Sequence, residues 1–474
     1  MGLAWLKANG LNPALQFLTQ PRLSLILQPH PMTDIKKFIL ENDIQSIEWL
    51  VQESTSHSIL FYHFLNKTQE DIEKFEKRIA QGEFALCITN FDHPSSGSDK
   101  ILHLNDSEYT KLKLSALNHV YPLNLQSISM LGVTGTNGKT TVVNLCEQLL
   151  SEKKVLSIGT LGVRLNAQLQ EQKNLITSLA YIDLHKLIAR EQMNLDVICM
   201  ELTSHGLEQG RYGELLFDAI AWTNFSQDHL DYHKSMDAYF KSKMLIFKHL
   251  KKDARVFVPQ SEKDLVDKIN QDVYLVDCNL KLANPFFKAK YNKDNLALAL
   301  SLTQELVEPD VKSIENLQPP EGRFNIFSYE NSFIVVDYAH TPDGLLSICQ
   351  EIRENFKGKK LITLFGCGGD RDKSKRPLMG KAACQYSDKV ILTSDNPRFE
   401  DPQKIIDDIL PAITIPFENY VDREQAISEA FKQLSSHVLL IAGKGHENYI
   451  DIAGVKEEYS DISTVKKLMG LKKC

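Results

Sequence analysis

Up to about residue 124 the chain sets short apolar runs among Lys, Glu, Asn and Ser, without a sharp motif. From Ser127 the pattern changes to an apolar strand-like run (SISMLGV), a glycine turn (TGTNGKT) and an amphipathic helix (TVVNLCEQLL). Further strand-like runs follow at LDVICMEL and FDAIAWTNF. Strands alternating with helices predict an α/β fold with a parallel sheet covered on both faces. The breaker cluster Gln318-Pro319-Pro320-Glu321-Gly322 reads as a linker. A second alternating series begins beyond it: FIVVDYA, KKLITLFGCG, DKVILTSD and HVLLIAG. The expected domains are therefore 1–124, 125–319 and 320–474, and a chain of 474 residues is indeed too long for one core.

Composition narrows the class of function. Hydrophobic residues at 43% and charged residues at 24% are ordinary for a globular protein. A formal net charge of -7 gives no reason to expect a nucleic acid or an anionic membrane as partner. No apolar run reaches the roughly 18 residues of a membrane span. Eight cysteines form no CxxC pair, so reduced thiols in a cytoplasmic protein are expected, with neither a zinc site nor a disulfide frame. The start lacks the apolar core of a signal peptide. Residues 1–31 read as an unstructured extension or a mis-assigned start, because a cleaner helical pattern, TDIKKFILENDI, opens after Met32.

The segment Gly135-Thr136-Asn137-Gly138-Lys139-Thr140-Thr141 lies between an apolar strand and an amphipathic helix. Glycines let backbone N–H groups approach phosphate oxygens, a lysine reaches the β/γ-phosphates and a threonine hydroxyl reaches Mg²⁺. The strict phosphate-loop pattern would place a glycine where this chain has Val133, so the loop is a variant that starts at Gly135. Glu201 ends one strand-like run and His229 follows another. Carboxyl ends of strands line the ligand crevice of an α/β sheet. A carboxylate, an imidazole and water make an acceptable Mg²⁺ shell. Each residue alone would read as a helix cap; their joint position after a phosphate loop favours the metal. Lys243, in a helical AYFKSKMLIF, has nothing in its spacing to single it out.

Seven segments in order, GVTGTNGKTT, MELTSHGLEQGR, TNFSQDHLDYHKSMDAYF, DYAHTPDGL, LFGCGGDRDKSKRP, SDNPRFEDP and AGKGHENY, resemble the Mur ligases over roughly residues 127–461. That resemblance implies three domains: an N-terminal uridine-nucleotide domain, a central P-loop ATPase domain and a C-terminal Rossmann-like domain. It implies that Gly135 to Thr141, Asn292, Asn295, Arg323 and Asp337 bind ATP, and that Thr140, Glu201, His229 and a carbamylated Lys243 hold Mg²⁺. Lys139, Lys243 and His229 would be the catalytic residues. Thr177, Ser178, Thr203 and Arg211 would contact the UDP-MurNAc-dipeptide. Arg371, the tetrapeptide Asp395-Asn396-Pro397-Arg398, Gly443 and Glu447 would form the amino-acid pocket. The tetrapeptide marks members that add meso-diaminopimelate, whose second carboxylate suits the guanidinium of Arg398.

The implied activity is ATP-dependent amide bond formation in peptidoglycan precursor synthesis, joining meso-diaminopimelate to UDP-MurNAc-L-Ala-D-Glu through an acyl phosphate, by a cytoplasmic monomer. The sequence departs from the family chiefly near the N-terminus. Where an Asp-Ser-Arg motif is expected, Glu53-Ser54-Thr55-Ser56-His57 stands, and Thr-Thr-Pro becomes Thr177-Ser178-Leu179. Two other readings remain: a related ligase such as a folylpolyglutamate synthetase, and a non-catalytic scaffold retaining the fold. The DNPR and GKGHE segments disfavour the first, and the intact Lys139, Glu201, His229, Lys243 and Arg398 disfavour the second.

Overall fold

A computed structural model describes residues 31–64, 68–91, 100–170 and 177–470. The extension expected before Met32 lies almost wholly outside the described residues, and the helical pattern after it forms the helix Pro31–Glu41. The chain divides into two compact units, one of residues 1–124 with 180–193, the other of residues 125–179 with 194–474.

The smaller unit carries a four-stranded parallel sheet, β1 (Ser46–Glu48), β2 (Ser58–Tyr62), β3 (Leu86–Thr89) and β4 (Ile101–His103), in that order. Its helices begin on reciprocal caps. Thr68 and Asp71 close a capping box on Gln69–Ile79, and Asn105 and Glu108 close one on Asp106–Val120. One face of the sheet packs Ile47, Ile59, Phe61 and Ile88 against Ile35, Phe38, Leu112 and Ile182.

The larger unit holds two sheets. The first is built from β5 (Ser129–Thr134), β6 (Val155–Gly159), β7 (Gly162–Leu165), β8 (Gln168–Leu169), β9 (Val197–Glu201), β10 (Phe217–Trp222), β11 (Leu250–Pro259) and β12 (Tyr274–Val276). Its order is β12-β11-β10-β5-β9-β6-β7-β8. The strands run parallel, as expected, except where β7 and β8 fold back antiparallel at one edge. The second sheet uses β13 (Asn325–Tyr329), β14 (Ser332–Asp337), β15 (Lys360–Phe365), β16 (Lys389–Thr393), β17 (Phe417–Tyr420) and β18 (His437–Ala442), in the order β13-β14-β18-β15-β16-β17. Only the β13–β14 pair is antiparallel. Beyond β18 a short hairpin follows, β19 (Tyr449–Ile452) and β20 (Val455–Glu458).

A continuous apolar core joins Leu131, Val133 and Val142 of the first sheet's layer to Val335, Leu361 and Leu440 of the second. A separate core covers the other face of the second sheet with Ala426, Ile427 and Val465. There Arg423 and Asp461, both fully buried, form a paired ion bridge with contacts of 2.8 Å. In each sheet the chain reverses direction beside a central strand, β5 in one and β18 in the other. Loops at the carboxyl ends of strands flanking such a reversal open into a crevice, where ligands of α/β sheets bind. No described helix is long and apolar enough to cross a membrane.

Candidate active site

The glycine turn leaves β5 and enters the helix Lys139–Leu149, whose first residue follows Gly138 without a side-chain cap. Its first N–H groups therefore remain available to an anion. Gly135 has φ +134°, and a Cβ there would sit 1.9 Å from Thr223 Oγ1, so only glycine lets the turn pass β10. Asn224 Oδ1 accepts from the Asn137 N–H at 2.9 Å, and the Thr223 hydroxyl donates to the Asn137 carbonyl. Lys139 Nζ folds back on the carbonyls of Gly135 (3.0 Å) and Thr136 (2.8 Å). Burial lowers its pKa, against the pull of Glu201 and Asp228.

Glu201 ends β9 and is buried. Its carboxylate accepts from Thr140 Oγ1 at 3.0 Å, from the Thr160 N–H at 2.7 Å and from Thr160 Oγ1 at 3.1 Å. Arg323 Nη2 donates to the same Thr140 hydroxyl at 3.3 Å, and its guanidinium lies 4.3 Å from the Tyr338 ring centroid. Thr140 thus joins the phosphate loop, the end of β9 and the segment leading into β13.

His229 and Lys243 both lie within electrostatic reach of Lys139. His229 adopts φ +56°, sets Nε2 3.4 Å from Asp228 Oδ2 and meets the His205 ring edge-on at 4.8 Å. Burial holds its pKa low, with Asp228 pulling the other way. Lys243 is 1% exposed, donates to the Gly135 carbonyl at 2.8 Å and lies 4.9 Å from the Tyr239 ring centroid. Burial pushes its pKa well down, and neighbouring Lys139 lowers it further. Among the described residues no three His, Cys, Asp or Glu side chains converge to hold a metal ion by themselves. Glu201, His229 and Lys243 do not touch one another in any described hydrogen bond or ion pair. Nucleotide-site Mg²⁺ uses one or two protein oxygens and otherwise waters and phosphate oxygens. The adjoining oxygens of Thr140 and Glu201 fit that requirement.

A cavity of about 180 Å³ opens beside the loop and is lined by Asn137, Gly138, Thr141, Asn292, Asn295, Arg323 and Asp337. Asn292 Nδ2 is engaged with the Phe286 carbonyl at 3.0 Å, and Asn295 Nδ2 lies 3.5 Å from Asn292 Oδ1. Asp337 accepts from the Phe324 and Ala339 N–H groups at 2.8 and 2.7 Å, while burial raises its pKa. Thr341, at the N-terminus of the helix Pro342–Asn355, accepts from Asn137 Nδ2 at 3.2 Å.

The four dipeptide-contact candidates come together on one side of Glu201. Ser178 Oγ lies 2.7 Å from Thr203 Oγ1 and 2.8 Å from Tyr212 OH, and Arg211 Nη1 donates to the Ser178 carbonyl at 2.6 Å. Thr177 Oγ1 is 3.3 Å from Thr160 Oγ1.

The amino-acid candidates gather at the carboxyl ends of β15, β16 and β18. Asn396 Nδ2 donates to Glu447 Oε2 at 2.9 Å. A Cβ on Gly443 would stand 2.7 Å from Asp395 Oδ2. Arg398 follows Pro397 with φ +51° and donates through Nη1 to the Gly369 carbonyl at 2.6 Å. Arg371 is half-exposed and lies 3.6 Å from Asp231. Several contributors escaped the sequence reading: Thr160, Thr223, Asn224, Asp228 and Lys444. Asp228 is buried, within 3.7 Å of His340 and 4.0 Å of Lys375, and it acts electrostatically on both Lys139 and Lys243. Its place beside His229 in the QDH run was the one available signal.

Comparison with known proteins agrees with this geometry. The Mur ligase middle domain matches residues 133–327, and the Mur ligase, glutamate ligase domain matches residues 322–445. A protein of Aquifex aeolicus (strain VF5) named UDP-N-acetylmuramoyl-L-alanyl-D-glutamate--2,6-diaminopimelate ligase is 35% identical over 425 residues, covering 82% of this chain and 86% of that one. A protein of the same name from Neisseria meningitidis serogroup A is 37% identical over 381 residues, covering 70% and 76%. The solved structure of a ligase of that name superposes with a TM-score of 0.57 at 26% identity, covering 90% of this chain and 95% of the other. With both domains matched in order and such relatives aligned over most of their length, the chain belongs to the Mur ligase family.

Proposed function

We propose that this chain is an ATP-dependent, magnesium-using ligase that adds meso-diaminopimelate to UDP-MurNAc-L-Ala-D-Glu; its relatives are named ligases of UDP-N-acetylmuramoyl-L-alanyl-D-glutamate and 2,6-diaminopimelate. The observation that carries the reading is the meeting at Thr140, where phosphate loop, Glu201 and Arg323 converge beside the cavity. In this reading residues 125–319 bind ATP, residues 320–474 bind the amino acid and residues 1–124 receive the uridine nucleotide. The protein works as a cytoplasmic monomer.

The D-glutamyl γ-carboxylate attacks the γ-phosphate of ATP, giving an acyl phosphate and ADP. Lys139 leaves the Gly135 and Thr136 carbonyls for phosphate oxygens. The free N–H groups of the helix Lys139–Leu149 and the Arg323 guanidinium offset the remaining negative charge. Thr140 would hold Mg²⁺ beside the phosphates, Glu201 and His229 with a carbamylated Lys243 would hold a second ion, and the ions would supply further charge neutralisation. Thr177, Ser178, Thr203 and Arg211 hold the dipeptide end. The amine of diaminopimelate then attacks the acyl carbon, phosphate leaves and the amide forms. Positioning accounts for most of the acceleration.

Lys243 is carbamylated in this reading. Burial shifts the Lys243 amine toward its neutral form, and the neutral amine is the form that adds CO₂, releasing a proton and leaving an anion fit to bind a metal. Intact mass of active protein in bicarbonate should show the adduct, and Lys243→Ala should lose activity that short carboxylates partly restore. A fully active enzyme bearing only the free amine would overturn this. The main test is phosphate release with ATP, UDP-MurNAc-L-Ala-D-Glu and either diaminopimelate or lysine. Release with diaminopimelate supports the proposal; none with either amino acid, from folded protein, refutes it.

A further inference from the structure

Lys444 is completely buried, in the turn that follows β18 between Gly443 and Gly445. A buried ammonium must satisfy its donors or bear a heavy desolvation cost. Two acceptors stand at hydrogen-bond distance, Asn396 Oδ1 at 3.0 Å and Glu447 Oε2 at 3.0 Å, and Asp395 Oδ1 lies at 3.9 Å. The Tyr449 ring centroid lies 5.5 Å away.

This contact determines how the neighbouring groups are presented. Asn396 Oδ1 also accepts from the Asp451 N–H at 2.9 Å. Two donors on one side leave the Asn396 amide a single orientation, oxygen toward Lys444 and Asp451, nitrogen toward Glu447. Glu447 Oε2 then receives both Asn396 Nδ2 and Lys444 Nζ. Among the described residues its other oxygen, Oε1, has only the Tyr338 hydroxyl at 3.4 Å. The arrangement reaches the hairpin too. The Arg398 N–H donates to the Asp451 carbonyl at 2.9 Å, and the Ala453 N–H donates to the Arg398 carbonyl at 2.8 Å.

We infer that Lys444 is a positioning residue of the amino-acid pocket: its buried ammonium locks Asn396 and one oxygen of Glu447, turning Glu447 Oε1 into the acceptor for the substrate's ammonium group. The inference rests on the proposed assignment of this pocket to the amino acid. Lys444 does not touch substrate; it acts through Glu447 and Asn396.

The test is steady-state phosphate release by full-length Lys444→Met, by Lys444→Met combined with Glu447→Gln and by Glu447→Ala, each with a melting temperature. Lys444→Met should raise KM for diaminopimelate roughly tenfold or more, as expected when a buried charge loses its partner, while KM for ATP stays within about twofold. The double variant removes the stranded carboxylate, so it should recover melting temperature without recovering that KM. If Glu447→Ala raises KM for diaminopimelate and Lys444→Met does not, the positioning role is overturned and the pocket assignment stands. If KM for both substrates rises in step with lost stability in every Lys444 variant, the lysine is only structural and the inference fails. If neither Glu447→Ala nor Arg398→Ala moves KM for diaminopimelate in an active enzyme, the pocket assignment itself fails.

Discussion

Replacing Arg398 by alanine should remove the preference for diaminopimelate over lysine. The Arg398 backbone is tied on both sides to the hairpin, through Asp451 and Ala453, so the substitution leaves those bonds intact. Of the five guanidinium N–H groups, one is used on the Gly369 carbonyl at 2.6 Å, and Nε stands 3.9 Å from Asp451 Oδ2. Among the described residues the remainder of the fork has no hydrogen-bond partner, and it can receive a carboxylate through two parallel bonds. Truncating one partner of a buried charge pair costs about 2–5 kcal/mol. The Arg398 side chain is 25% exposed, which places it toward the lower end. A loss of about 2–3 kcal/mol corresponds to roughly 30- to 150-fold in kcat/KM for diaminopimelate at 1.4 kcal/mol per factor of ten. Lysine has no second carboxylate, so its kcat/KM should barely move. The φ of +51° supplies a control. Alanine keeps the left-handed strain and glycine relieves it, so Arg398→Gly should be more stable than Arg398→Ala yet equally unselective. Phosphate release measured with both amino acids on wild type and both variants decides the matter. An unchanged diaminopimelate-to-lysine ratio, or a ratio that follows stability instead of the missing fork, would refute the reasoning.

Lys139→Ala should abolish ATP-dependent phosphate release while leaving the melting temperature nearly unchanged, because its ammonium bonds only to loop carbonyls; wild-type release from the variant would sink the loop assignment. Acid stability should depend on Glu400, whose pKa the Arg376 guanidinium holds at about 2 against an ordinary 4.5. Its contribution is complete above pH 4.5 and is lost as pH falls toward 2, so Glu400→Gln should lower stability at neutral pH and flatten that part of the acid limb in denaturant titrations.

What the sequence made legible is what local pattern encodes. An apolar run, a glycine turn and an amphipathic helix specify β5, the phosphate loop and the helix Lys139–Leu149 without reference to anything distant. Glu201, at the end of its run, was placed by the same logic, since a strand's last residue in an α/β sheet stands at the crevice. The β7–β8 hairpin was illegible for a local reason. Its turn sets Asn166 and Ala167 at φ +50° and +64°, and alanine is not a residue that signals a left-handed turn. The small sheet was hidden by brevity: strands of three to five residues offer too few positions for a period-two pattern to emerge.

The helix Tyr181–Glu191 shows where local pattern stops being informative. Its apolar residues Ile182, Leu184, Leu187 and Ile188 recur at helical spacing, which predicts a helix with a buried face. Nothing in that stripe says whose core it enters. The structure packs it with the smaller unit: Trp49 Nε1 donates to Asp183 at 2.9 Å across 134 residues of sequence, and Lys186 reaches Glu48 at 2.8 Å across 138. The choice is made by complementary charge and shape between distant segments, which no window of sequence contains. Lys243 obeys the same rule. In its own helix it reads as a solvated lysine, yet it is buried and donates a hydrogen bond to the Gly135 carbonyl, 108 residues away. Arg323 likewise gains its meaning only at Thr140, 183 residues distant. Chemistry that belongs to one loop can be read from spacing; chemistry assembled from several strand ends has to be read from the fold or from a resemblance that already encodes it.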